Sequence, residues 1–166
     1  MVRIRYLIIA VIVAGIGVLS SIFLFQSEER KVKKQFHLLS EWVSKDPGEN
    51  AFTMAHKLQK IGTLFAENFE LKTEVDSMSG SYTPAEISSY AARGRLMFSH
   101  LSLKFYDFDI SFPQKGVANV TLTARLRGRA TSGEDVDEIH EVQCILGKIE
   151  KRWLFSHVEI MEVLRK

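Results

Sequence analysis

Five histidines (His37, His56, His100, His140 and His157), one cysteine (Cys144) and the carboxylates Asp107 and Asp109 are the side chains with which this sequence could do acid, base, nucleophilic or metal chemistry. A metal site needs at least three converging ligands, and the histidines show no HxH or HExxH spacing, so no metal site is expected. A single cysteine permits neither an internal disulfide nor a CxxC redox pair. Cys144 alternates with Val142 and Leu146, which reads as a buried, protonated thiol rather than a nucleophile. There is no Gly-rich phosphate loop and no GxSxG elbow, and no cofactor is expected. What remains is proton transfer by a carboxylate or an imidazole, which requires an ionisable group with a shifted pKa inside a cavity.

Whether any of these groups reaches a cavity depends on the strands that carry them. Tyr106, Phe108, Ile110 and Phe112 alternate with Asp107, Asp109 and Ser111, so the aromatic side is expected to face the core and both aspartates the solvent. Ala118, Val120, Leu122, Ala124 and Leu126 alternate in the same way with Asn119, Thr121, Thr123, Arg125 and Arg127. A hairpin centred on Gly133 pairs Leu126 with His140, Ala124 with Val142, Leu122 with Cys144 and Val120 with Leu146. It also sets Arg125 opposite Glu141 and Arg129 opposite Asp137. A last strand is expected from Arg152 to Val163, carrying His157 beside Trp153 and Phe155.

Helices precede these strands. Val32, Phe36, Leu39 and Val43 recur at helical spacing up to the Asp46-Pro47-Gly48 break. A second helix begins near Asn50 and is expected to bury Phe52, Ala55, Leu58, Ile61 and Phe65. Phe69, Leu71, Thr73 and Val75 then alternate as a short strand. Thr83, Pro84 and Glu86 form a capping box that opens a third helix, with Ile87, Tyr90, Ala91, Gly94 and Phe98 as its expected buried side. Helices followed by long antiparallel strands give an α+β architecture: about three helices on a curved antiparallel sheet.

Ahead of all this stand twenty uncharged residues, 6–25, YLIIAVIVAGIGVLSSIFLF, long enough as a helix to cross about 30 Å of hydrocarbon. No Ala-x-Ala cleavage site follows, and the only cysteine is Cys144, so residues 1–26 read as an uncleaved, unlipidated anchor and 27–166 as one domain. Arg3 and Arg5 precede the span, whereas Arg30, Lys31, Lys33 and Lys34 follow it. The basic count favours a cytoplasmic domain; a short anchor ahead of one globular domain favours export, which is the reading adopted. Beyond Arg3 and Arg5, the twenty remaining basic residues balance the twenty acidic ones. A neutral domain has no long-range field for phosphates, so nucleic acid is not an expected partner. Asn119-Val120-Thr121 matches a glycosylation acceptor, but its place in a strand makes a chance match the better reading.

The strings FYDFDISFPQKGVANVTLTARLRG and EIHEVQCILGKIEKRWLFSHVEI, behind three helices, resemble the nuclear transport factor 2 family of cystatin-like, SnoaL-type cones over residues 27–166. That family includes ketosteroid isomerases, dehydratases and polyketide cyclases, whose cone encloses a pocket for an apolar ligand with an acid or histidine as base. The resemblance implies a candidate pocket of Trp42, Tyr90, Tyr106, Phe108, His140 and His157. One span ahead of such a cone is also similar to inner-membrane subunits of type IV secretion systems. This implies a single-pass protein of a bacterial inner membrane that binds protein partners. The outer sheet face itself offers Asn119, Thr121 and Thr123 as a candidate interface with a partner or a second copy, extended by the basic row of Arg125 and Arg127. The readings are a non-enzymatic binding or assembly domain, a binder or converter of a small apolar ligand, and a homodimeric structural module that uses the open sheet face.

Overall fold

A computed structural model of the chain describes residues 26–73 and 78–161. The stretch 6–25 expected to form the anchor lies outside them; among the described residues no helix is long and apolar enough to cross a membrane. Helix α1 spans 26–43, α2 Ala51–Gly62 and α3 Pro84–Leu96. The strands are β1 Phe65–Lys72, β2 Gly80–Tyr82, β3 Phe98–Gln114, β4 Val117–Ala130, β5 Asp135–Ile149 and β6 Arg152–Met161. They form one six-stranded sheet in the order β2-β1-β6-β5-β4-β3. Only the β1–β6 pair is parallel.

The helices start where the caps direct. Asn50 accepts from the Thr53 amide at 2.8 Å, and the capping box at α3 forms in full, with Thr83 and Glu86 each accepting from the other's backbone. The inner face of the sheet meets the helices around Val32, Phe36, Ile61, Phe69, Val120, Leu122, Leu146 and Phe155, all nearly inaccessible to solvent. Gly62 lets α2 approach α3: a methyl group there would lie 2.7 Å from the Ser88 hydroxyl and 2.8 Å from the Pro84 carbonyl. Phe52, in the first turn of α2 and expected in the core, is 84% exposed.

Bulges bend the sheet and change which side chains point inward. In β3 the register shifts between Tyr106 and Asp109, where Asp107 adopts a φ of 54°. The strand therefore presents Leu101, Leu103 and Phe105 inward before the bulge and Phe108, Ile110 and Phe112 after it. Tyr106, expected inside, lies on the outer face. An aspartate is among the few non-glycine residues that tolerate this left-handed backbone. A second bulge between Ile145 and Leu146 on β5 gives β6 one extra residue, Ser156. Phe155 thus faces the core while His157 pairs with Ile145 on the outer face.

The β4–β5 hairpin keeps the expected faces but not the expected pairs. Val120 lies opposite Cys144, Leu122 opposite Val142 and Ala124 opposite His140, a two-residue shift in register. The turn closes through bonds from the Gly133 amide to Ala130 and from the Ala130 amide to Glu134, which moves its centre back by one residue. A shift by two leaves inward and outward sides unchanged, which is why apolar alternation alone does not distinguish the registers. Arg125 therefore faces Ile139, not Glu141, and Arg129 faces Asp135, not Asp137.

Candidate functional site

The centre of the inner face is filled. Phe36 packs edge-on against Phe105, Phe108 and Phe155 with ring centroids 5.4, 5.3 and 4.9 Å away, and Phe65 joins Phe155 to Phe69. Edge-to-face contacts of this kind add to the stabilisation from burial. Cys144 sits in this core, and burial pushes its thiol up to about 12, which makes it unreactive as sequence spacing implies.

The six candidate pocket residues do not converge. Phe108 belongs to the aromatic core. Trp42 lies at the edge of the core under the Lys60 ammonium, 5.5 Å from its ring centroid. Tyr90 is 54% exposed, stacked edge-on against Tyr82 and covered by Arg93. Tyr106 and His157 lie on the outer face, the latter 3.4 Å from Glu70. Only His140 shares the inner side of β5 with Val142 and Cys144, half-exposed and 3.5 Å from Glu138. Among the described residues, no group of three His, Cys, Asp or Glu side chains could hold a metal ion.

The outer face carries concavities. One of about 600 Å³ has a mixed lining, with Arg127 and Arg129 set against Asp135 and Asp137. A second of about 200 Å³ is lined by His100, Ser102, Lys104, Tyr106, Arg125 and Arg127. Strand alternation builds them: His100, Ser102 and Lys104 of β3 stand opposite Arg129, Arg127 and Arg125 of β4. Lys104 thus directly faces Arg125, a like-charge pairing that weakens the sheet unless an anion compensates it. Asp137 does so in part. Its carboxylate accepts two bonds at 2.8 Å from Arg125 and one at 3.1 Å from Arg127. The Arg125 bonds, with Arg127 adding to them, hold Asp137 down at about 2, and the same carboxylate raises the pKa of Arg125. Arg125 and Arg127 of the candidate interface line this groove. Thr123, Thr121 and Asn119 continue the same β4 face beyond it.

No family model matches the sequence, and no curated protein matches it. Solved structures do. An NTF2-like protein with a cystatin-like fold from Novosphingobium aromaticivorans is 9% identical with a TM-score of 0.67, covering 89% of this chain and 90% of that one. A scytalone dehydratase-like protein from the same organism is 18% identical at a TM-score of 0.64, covering 84% and 86%. The hexachlorocyclohexane dehydrochlorinase LinA-type3 of Novosphingobium barchaimii is 9% identical at 0.64, covering 82% and 86%. The domain has the NTF2-like, cystatin-like fold.

Within this cone, one cluster was not anticipated from sequence. Arg95 of α3 is 1% exposed. Its Nη1 donates to the carbonyls of Trp42, Val43 and Ser44 at 2.6, 2.6 and 2.7 Å, and its Nη2 donates to Glu49. Lys57 closes the cluster, 2.6 Å from the other Glu49 oxygen and 3.1 Å from the Ser44 carbonyl. The guanidinium thereby satisfies carbonyls that the end of α1 leaves without helical partners and places a cation at the negative pole of that helix. Burial alone would raise the pKa of Glu49, but the bonds and charges of Lys57 and Arg95 outweigh it and lower the value. The only sequence signal was an arginine among small and apolar residues near the end of α3.

Proposed function

We propose that the protein is a membrane-anchored, non-enzymatic binding domain that holds a protein partner in an envelope complex through the outer face of its cone. The observation that carries this reading is that Phe36 and its three ring neighbours occupy the cone centre, while a concavity lined by Lys104, Arg125 and Arg127 opens on the outer face. The apolar stretch 6–25 supports anchoring by a single span, and a short anchor ahead of one globular domain is the reason to place that domain outside the cytoplasm. A tether confines the domain to partners at one surface and raises their effective concentration. The partner face opposite the groove is acidic protein surface, because the overall charge beyond Arg3 and Arg5 is balanced and lacks the excess that nucleic acid demands.

The alternative is a small apolar ligand, bound or converted at the open side of the cone. Two observations favour it: His140 lies on the inner side of β5, and structural neighbours are named as a dehydrochlorinase and as scytalone dehydratase-like. Purification of the full chain from its membrane in mild detergent, with mass spectrometry of proteins and small molecules, separates the readings. A stoichiometric partner that is lost from a Lys104→Glu/Arg127→Glu variant supports the binding domain. A chain without partners that retains an apolar molecule, released by His140→Ala, overturns it.

A further inference from the structure

The end of the cone from which α1 starts is tied together by Glu28. Glu28, three residues past the apolar stretch, accepts bonds from Lys148 at 2.7 Å and from the Trp153 indole at 2.9 Å. Those contacts fix the β5–β6 turn, Ile149 to Arg152, beside the first turn of α1. The β3–β4 turn joins it, because the Lys148 amide donates to the Gly116 carbonyl at 2.8 Å. Through Lys148 both turns are therefore held to the first turn of α1, with no slack between Glu28 and the domain.

These turns carry exposed Lys115, Lys151 and Arg152, for which no carboxylate partner is found among the described residues, with Glu150 as the opposing charge. Lys148 is already matched by Glu28. Ile149 is 49% exposed in their midst. Glu150 and Lys151 hold φ angles of 48° and 68°, a two-residue turn conformation for which Asn and Gly are the favourable residues. A charged pair is thus kept at the tip despite an unfavourable backbone.

We infer that this end of the cone is a second membrane contact, in which Lys115, Lys151 and Arg152 bind the headgroups of anionic phospholipids while Ile149 enters the interface between them. The inference rests on the proposed anchor, which brings the bilayer to this end. Basic side chains within a Debye length of an anionic leaflet are attracted to it, and an apolar side chain among them adds interfacial burial. Together with the Glu28 contacts, such docking holds the cone at a fixed height and tilt, with the β4–β5 turn pointing away from the bilayer.

The test uses the full chain in nanodiscs of phosphatidylcholine, with or without phosphatidylglycerol, that also hold a headgroup-region spin-labelled lipid. An Ile149→Cys variant carries a fluorophore and a Ser132→Cys variant carries it at the distal turn; the native Cys144 is buried and does not label. The expected result is quenching at 149 and not at 132, about twofold stronger with the anionic lipid, and reduced to the neutral-lipid value by Lys115→Glu/Lys151→Glu/Arg152→Glu. High salt, which needs no further variant, should remove the same increment. Equal quenching at 149 and 132 in discs that retain the chain overturns the tip contact and leaves the anchor standing. Failure of discs to retain the chain overturns both.

Discussion

Replacing Arg95 by methionine should destabilise the domain by about 3–5 kcal/mol, the range for breaking a buried ion pair from one side. The structure sets the size in three steps. Three carbonyls at the end of α1 lose a donor at 2.6–2.7 Å; Ser44 keeps Lys57 at 3.1 Å, and each buried polar group left unmatched costs about 1–3 kcal/mol, though these costs do not simply add. Glu49 loses its guanidinium but keeps Lys57 at 2.6 Å, which prevents the loss from reaching that of an isolated buried charge. Methionine retains the packing volume of the arginine stem, so little of the effect is cavity formation. Against a total stability of about 5–15 kcal/mol for a domain, this loss is a fifth of the whole or more. Urea denaturation of the full chain in mild detergent, followed by tryptophan fluorescence, measures it, since the Trp153 indole is buried in the folded core. A second arm checks the cause. Because the folded pKa of Glu49 is lowered, its stabilising contribution is complete above the unfolded carboxylate value of about 4.3 and is lost as pH falls through the folded value. Arg95→Met should flatten that part of the acid-stability profile. A loss under about 1 kcal/mol, as for an exposed pair, would refute the reasoning.

Three further outcomes are expected. Glu28 is lowered to about 2: burial opposes this, but bonds from Lys148, Lys31 and Trp153 prevail. Stability from this group is therefore held above about pH 4.3 and lost towards pH 2; Trp153 fluorescence should change in that window in the parent and not in Glu28→Gln. Gly128→Ala places a methyl group 2.7 Å from the His100 carbonyl, and overpacking against backbone should lower stability by about 1–3 kcal/mol; an unchanged Tm would show that β3 can shift at this point. Cys144 should resist alkylation at neutral pH in the folded protein and react fully in urea, read by intact mass; modification without denaturant would contradict its burial.

Residue order was enough to place the segments in which apolar period and local caps agree. Asn50 and the Thr83-Glu86 box start their helices where the spacing requires, and the alternation of Val120, Leu122, Val142, Cys144 and Leu146 assigns the inner face of β4 and β5 correctly. It determined the fold class for the same reason, since inner and outer sides follow from alternation alone. Tertiary structure decided everything that depends on one residue more or less. The bulges at Asp107 and Ser156 sent Tyr106 and His157 to the outer face, and the position of the hairpin turn decided that Asp137 meets Arg125 and Arg127. Apolar periodicity carries no information about such insertions, because each resets the phase of a strand at a cost set by its neighbours. Arg95 marks the same limit on a helix. Its burial follows from the unpaired carbonyls at the end of α1 and from Glu49, both about fifty residues away in the chain, and these meet it only when the helices are packed.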